Sequence, residues 1–97
     1  MTATTTFKMP TSTAPIIYNA LKRELEILKI NINNTIEKLK IFENKHNISS
    51  KKFYQKFSDG QMGDSQDIML WASEFEALSE ITTEYKEIKK ILDSWRI

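Results

Sequence analysis

The chain has 97 residues, of which 40% are hydrophobic and 28% are charged, a composition typical of one folded globular domain and not of a disordered segment. It contains no cysteine, which excludes a disulfide framework and a thiolate metal site. The net charge of +1 is unevenly distributed, with ten Lys and Arg against four Glu in residues 1–58 but four against nine acidic residues in 59–97, so the two halves should attract each other.

Nothing in the sequence indicates a membrane segment or export. No run of 18 apolar residues is present, and the first fifteen residues lack the basic start and the apolar segment of a secretion signal. We therefore expect a cytoplasmic protein that does not contact a membrane. The same fifteen residues are rich in Thr, and Pro10 and Pro15 disfavour a helix interior, so we predict that residues 1–15 form a flexible arm.

The first predicted helix spans residues 16–46 and carries two apolar faces. One face is a seam in which apolar residues alternate at spacings of three and four, interrupted only by Thr35. The seam consists of Tyr18, Leu21, Leu25, Leu28, Ile32, Leu39 and Phe42. A second group lies on nearly the opposite side: Ile16, Ala20, Ile27, Ile30 and Ile41. A helix in a simple hairpin buries one face, so the second group predicts either a homodimer, in the form of a four-helix bundle, or a protein partner.

Residues 47–64 interrupt the helical pattern and predict a compact elbow. Ser49 is placed to cap a short helix over residues 50–58, and the dipeptide Asp59-Gly60 is a turn signal that ends it. Asp64 is predicted to cap the helix that follows. Five aromatic residues lie in or beside this segment, and we expect them to form a small core: Phe42, Phe53, Tyr54, Phe57 and Trp71.

The last predicted helix spans residues 65–95 and carries one broad apolar stripe. The stripe consists of Ile68, Trp71, Phe75, Leu78, Ile81, Tyr85, Ile88, Leu92 and Trp95. Two long helices joined by a compact elbow run antiparallel, so the predicted fold class is an all-α helical hairpin. Three basic residues of the first helix should then lie beside three acidic residues of the second, and these pairs should set the register without adding much stability. The basic residues are Lys38, Lys40 and Lys45, and the acidic ones are Asp67, Glu74 and Glu76.

The side chains that carry most enzyme chemistry are scarce in this chain. His46 is its one histidine, and without cysteine it completes neither a zinc cage nor a Cys/His or Ser/His/Asp site. Asp59, Asp64 and Asp67 lie close together, but they lack the alternating ligands and the terminal Glu of a calcium loop. We therefore expect no enzyme activity, no cofactor and no metal.

A group of lysines near the elbow is the candidate for contact with nucleic acid: Lys38, Lys40, Lys45, Lys51, Lys52 and Lys56. Phe53 and Tyr54 lie among them, and basic residues interleaved with aromatic ones are typical of proteins that bind single strands. Two observations weigh against this hypothesis. The acidic half of the chain should fold back beside the lysines, and arginine, which reads base edges best, does not occur among them.

The elbow and its flanks also contain a recognisable pattern. It consists of Phe42-Glu43, Lys45-His46-Asn47-Ile48-Ser49-Ser50, Phe53-Tyr54, Phe57, Gly60, Gly63-Asp64, Asp67 and Trp71. These residues resemble a pattern of small prokaryotic all-helical proteins that are regarded as antitoxins of type II toxin–antitoxin pairs. There an aromatic-Glu-x-Lys-Tyr-Gly-Met-Ser motif precedes the short helix, and Gly-Glu-Leu-Gly-Asp precedes a helix that contains Trp. This chain departs from that pattern at His46, which replaces an aromatic residue, at Asn47, which replaces glycine, and at Gln61-Met62, which replaces Glu-Leu.

The resemblance implies a helical hairpin without catalytic residues. It also implies that the gene of this protein lies beside a gene for a toxin-like protein. We therefore predict a non-catalytic protein-binding module that neutralises a cognate toxin by direct binding, with the second apolar face of the first helix and the flexible arm before it as the candidate contact surfaces. Two alternatives stay open. The chain could be a structural or adaptor coiled-coil homodimer without a toxin partner, or a nucleic-acid-binding protein that uses the lysine group.

Overall fold

The computed structural model describes residues 13–95, and within this range the chain folds into three α-helices with no β-strand. Helix α1 spans Ala14–His46, α2 spans Ser50–Ser58 and α3 spans Gln66–Asp93. The ring of Tyr18, near the start of α1, lies 5.7 Å from that of Trp95, just beyond the end of α3. Because Trp71, near the start of α3, stacks on a ring from the end of α1, the two long helices run antiparallel. The predicted all-α fold is thereby confirmed.

Helix α1 begins two residues earlier than predicted. Pro15 lies in its first turn, where the missing N–H group has no intrahelical partner to lose. The N–H groups of Ile16 and Ile17 donate to the carbonyl of Thr13 at 3.1 and 3.2 Å. Ala14 and Pro15 therefore belong to the helix and not to the predicted arm, whose residues 1–12 lie outside the described residues.

Asn47 ends α1 by taking a left-handed backbone conformation, with φ 57° and ψ 43°. Its N–H group donates to the carbonyl of Glu43 at 2.7 Å, which satisfies one of the free carbonyls at the end of the helix. Asparagine visits this region more readily than other residues with a Cβ atom. The chain therefore turns away from α1 at one residue, and α2 begins three residues later.

Both later helices start at a serine cap. The Ser49 hydroxyl accepts a hydrogen bond from the Lys52 N–H group at 3.2 Å, which confirms the predicted cap of α2. The prediction that Asp64 caps α3 is wrong, because the Ser65 hydroxyl accepts from the Ile68 N–H group at 3.3 Å. Ser65 has the extended backbone of a capping residue and directly precedes the helix, whereas Asp64 lies one position too early.

Helix α3 ends at Asp93, two residues before the predicted boundary. The Ser94 hydroxyl donates to the carbonyls of Lys90 and Ile91 at 2.9 and 3.2 Å, and the Ser94 N–H group also donates to the Lys90 carbonyl. These bonds satisfy carbonyls of the last turn, where an α-helix leaves its carbonyls without intrahelical partners.

The hydrophobic core is concentrated at the elbow end of the hairpin. Its buried cluster consists of Leu39, Phe53, Ile68, Trp71 and Ala72. Partly buried residues surround this cluster: Phe42, Ile48, Tyr54, Phe57, Met62, Phe75 and Leu78. Further along the hairpin Leu28 and Thr35 are buried, and the Thr35 hydroxyl donates to the carbonyl of Asn31 at 2.9 Å. That internal bond explains how a polar side chain occupies the apolar seam.

Replacing Asn47 tests whether the left-handed residue holds the elbow. Asn47→Ala should lower the free energy of unfolding by about 1 kcal/mol, because alanine pays the full steric cost of this conformation, whereas Asn47→Gly should be neutral or stabilising. Urea unfolding followed by circular dichroism measures both. The control is Asn44→Ala, at an exposed helical position, which should not destabilise the protein. Equal destabilisation by Asn47→Ala and Asn47→Gly would show that the side chain matters and not the backbone conformation.

Candidate interaction surfaces

The indole of Trp71 is the centre of the elbow, and an aromatic ring from each of the other helices stacks on it. The Phe53 ring of α2 lies 3.7 Å from it between centroids with an interplanar angle of 4°. The Phe42 ring of α1 lies 5.6 Å away at 9°, and the imidazole of His46 lies 5.1 Å away at 24°. Phe53 and Trp71 are fully buried, and the remaining members of the predicted elbow core, Phe42, Tyr54 and Phe57, pack against them.

Polar groups at the start of α2 complete this packing. The Nε1–H group of Trp71 donates to the Ser50 hydroxyl at 2.9 Å, and the Ser50 N–H group donates to a carboxylate oxygen of Glu43 at 2.9 Å. Ser50 is itself buried, so these bonds replace the water that the groups would otherwise bind. One residue therefore links α2 to both long helices.

A second set of polar side chains joins the end of α1 to the start of α3. The Nε2–H group of His46 donates to Oδ2 of Asp67 at 3.0 Å, and Lys45 Nζ donates to the same oxygen at 3.1 Å. The hydrogen bond from His46, and after it the one from Lys45, lowers the pKa of Asp67. The carboxylate also lies in the first turn of α3, where the helix dipole favours negative charge. His46 thus has a structural partner on each side, the indole and the carboxylate.

The predicted ion pairs between the long helices form in part. Lys45 pairs with Asp67, and Lys38 Nζ lies 3.8 Å from Oε1 of Glu74. The prediction was wrong for Lys40, which instead pairs with Glu37 of its own helix at 3.3 Å. Glu76 accepts a hydrogen bond from the Tyr54 hydroxyl, and that bond raises the pKa of Tyr54.

The lysine group proposed for nucleic acid is divided by this arrangement. Its three members on α1 are exposed but have the acidic neighbours just described. For Lys51, Lys52 and Lys56 on α2, which are exposed as well, no ion pair is found among residues 13–95. Lys52 and Lys56 border a shallow polar hollow with His46 and Asn47. The folded-back acidic half that the sequence predicted thus lies beside only part of the lysine group.

The outer face of α1 is an apolar surface that the hairpin leaves open. We give this name to Ile16, Ala20, Ile27, Ile30 and Ile41, the second apolar group of the sequence. Its isoleucines are 66%, 52%, 58% and 67% exposed in chain order, and Ala20 is exposed as well. The seam that packs on α3 lies on nearly the opposite side of the helix. Apolar side chains aligned on one exposed face mark an interaction site more often than scattered ones do.

Near the elbow the outer face continues onto α3 through a groove that the sequence reasoning missed. Ile41, Phe42 and Leu70 line this groove, which has a volume of about 300 Å³, together with the ion pair of Lys38 and Glu74. Leu70 is 51% exposed. The available signal was the run of five apolar residues from 68 to 72, which is longer than one face of a helix can bury.

The described residues offer an interaction surface and little else that identifies an activity. Within residues 13–95 no group of three or more His, Asp or Glu side chains is placed to hold a metal ion, and none of the three helices is long and apolar enough to cross a membrane. No family model, curated protein or solved structure matches this chain. The resemblance of the elbow to antitoxin-like proteins therefore stays a prediction.

Ser50→Ala tests the central hydrogen bond. The substitution leaves the buried Nε1–H group of Trp71 without its acceptor, and it should lower the free energy of unfolding by about 1–3 kcal/mol. The matched control is Ser58→Ala at the exposed end of α2, which should change stability by less than about 0.5 kcal/mol. Guanidinium unfolding followed by Trp fluorescence measures both variants. Equal effects would mean that the indole finds another acceptor.

Asp67→Asn tests the polar group at the helix ends through its pH dependence. Because the pKa of Asp67 is lower in the folded chain than in the unfolded one, its contribution is complete above the unfolded value of about 3.9 and is lost as the pH falls through the folded value. Asp67→Asn should therefore lower Tm at pH 7, and the difference from the native chain should close as the pH falls below about 4. The neighbouring substitution Asp64→Asn is the control. A Tm difference that stays constant across this range would contradict the assignment.

Proposed function

We propose that this protein is a non-catalytic binding module that uses the outer face of α1 to bind another protein. The observation that carries the proposal is the alignment of four isoleucines, each more than half exposed, on the side of α1 that α3 does not cover. Complete burial of a fully exposed isoleucine contributes roughly 1.5–3 kcal/mol, and each of these half-exposed side chains would contribute about half as much. A protein that covered several of them would therefore bind with useful affinity.

The rest of the molecule supports this use by holding α1 in place. The elbow stack and the polar groups around it connect both long helices at one end, and the seam packs along α3. Near the elbow a partner then meets a helical face whose conformation is already formed, which lowers the entropy cost of binding. Helical faces with apolar residues at spacings of three and four are a common mode of protein recognition.

We further propose that the bound protein is a cognate toxin and that the chain neutralises it by occupying its surface. The support is the resemblance of the segment from Phe42 to Trp71 to antitoxin-like proteins, together with the exposed isoleucines of the outer face. In the absence of the toxin, we propose that the chain covers its own outer face by forming the homodimer that the sequence predicted. A structural homodimer without any toxin is the second candidate, because the same isoleucines would serve it.

The double substitution Ile27→Glu/Ile30→Glu tests this proposal. It places charge in the middle of the outer face without touching the seam, so the helices should form while binding is lost. The test co-expresses each variant with the protein encoded by the neighbouring gene and measures cell growth and co-purification. The native chain should restore growth and retain the other protein, whereas the double variant should do neither.

A matched control separates loss of the surface from added charge. Lys22→Gln/Lys29→Gln changes the net charge by the same two units at exposed positions of α1 outside the outer face, and it should behave as the native chain does. Circular dichroism verifies that each variant is helical. If the Ile27→Glu/Ile30→Glu variant still neutralises, the contact surface lies elsewhere; if the native chain captures nothing, the toxin proposal fails.

A further inference from the structure

The structure points to a specific occupant of the outer face, namely a second copy of this chain whose α1 runs antiparallel to the first. We infer that Ile27 of one copy lies opposite Ile30 of the second copy, on either side of the twofold axis. The inference rests on the proposed function in one respect, since it uses the same surface; it adds the partner in the free protein, the direction of the helices and their register.

The first argument is the spacing of exposed residues along α1. Eight positions follow one another at alternating intervals of four and three, and all eight are exposed: Ile16, Ala20, Arg23, Ile27, Ile30, Asn34, Glu37 and Ile41. This is the seven-residue repeat of a coiled-coil seam. We call these eight positions the outer row. It contains the four isoleucines of the outer face and three polar residues.

The polar residues select the antiparallel direction. In a parallel pair each residue of the outer row faces the same residue of the second copy, so Arg23 would face Arg23 and Glu37 would face Glu37. Like charges at facing positions of a helix pair are destabilising. In an antiparallel pair centred between Ile27 and Ile30, Arg23 lies opposite Asn34 of the second copy, whose amide oxygen accepts a hydrogen bond from the guanidinium.

The same register also satisfies the remaining positions. Ile16 lies opposite Ile41 of the second copy, so every isoleucine of the outer row meets an isoleucine. Glu37 lies opposite the small Ala20, with Arg23 of the second copy in the next layer and within reach of its carboxylate. Glu37 is free to change partner, because its present ion pair with Lys40 is a highly exposed contact within one helix.

Other antiparallel registers lose these matches. Sliding one helix by seven residues in one direction places Ile27 opposite Glu37 and Ile30 opposite Asn34. Sliding it in the other direction places Ile27 opposite Arg23 and Ile16 opposite Asn34. Each displacement buries a charged or amide group against an isoleucine, which is unfavourable without a partner. The sequence of the outer row therefore favours one register.

Charges beside the outer row also favour the antiparallel direction. Glu24 and Glu26 lie in the first half of α1, whereas Lys38 and Lys45 lie in the second half. An antiparallel pair brings these two glutamates toward the lysines of the second copy, whereas a parallel pair brings glutamate beside glutamate and lysine beside lysine. The complementary arrangement sets the orientation of paired helices.

Cysteine cross-linking tests the direction, since the native chain contains no cysteine. Ile16→Cys and Ile41→Cys are purified separately, and each is oxidised alone and as a mixture of the two. In the antiparallel pair only the mixture should give a covalent dimer, because two copies of Cys at position 16 would be about 38 Å apart along the helices. A parallel pair would give the opposite result, with covalent dimers from each variant alone, and would overturn the inference.

Charge reversal tests the register independently. Arg23→Glu places a carboxylate beside Asn34 and Glu37 of the second copy at two symmetric sites, and it should weaken the dimer about tenfold or more. The double variant Arg23→Glu/Glu37→Arg exchanges the two charges and should restore dissociation to within about threefold of the native value. Sedimentation of the full-length chain measures both. A double variant as weak as the single one, or a native chain that is monomeric at high concentration, would overturn the inference.

These outcomes are separable from those of the proposed function. A monomeric native chain that still captures the neighbouring gene product would overturn the antiparallel dimer and leave the binding function standing. An antiparallel dimer that captures no other protein would do the reverse, supporting this inference while the toxin proposal fails.

Discussion

The arrangement of the helices depends on the burial of one indole ring. Trp71 is fully enclosed, so its two faces need flat apolar partners and its Nε1–H group needs an acceptor. Phe53 and Phe42 supply stacked rings and Ser50 supplies the acceptor. These residues come from α2 and from the end of α1, so satisfying one side chain of α3 positions all three helices. The caps at Ser49 and Ser65 and the left-handed Asn47 shorten the connections enough to permit this.

The same arrangement explains why α1 can have a second apolar face without losing its structure. Its seam buries Leu28 and Leu39 against the rest of the hairpin, while the elbow stack secures its last turns. The outer face therefore takes no part in the packing of the hairpin and stays exposed. In a chain of this size the buried core is small, so covering the outer face would also add to the stability of the whole protein.

The sequence predicted the helical periodicity, the elbow and the aromatic core because these follow from local spacing and from turn residues. It did not predict that Ser65 rather than Asp64 caps α3, since both are good capping residues and only the backbone geometry separates them. The sequence also did not predict the partners of Lys40 and Glu76, because an exposed charged side chain can pair with several neighbours at similar energy. Leu70 was missed because its exposure depends on how α3 is rotated against α1.

The uneven distribution of the core has a consequence for how the hairpin opens. Its buried cluster lies at the elbow, whereas the opposite end is closed by half-buried residues such as Tyr18 and Trp95. Backbone amides near the open end should therefore exchange with solvent through local fraying, and those around Trp71 only through global unfolding. A binding partner that reaches Ile16 meets a turn that is often frayed and must order it on contact, whereas at Ile41 it meets a helix that is already held.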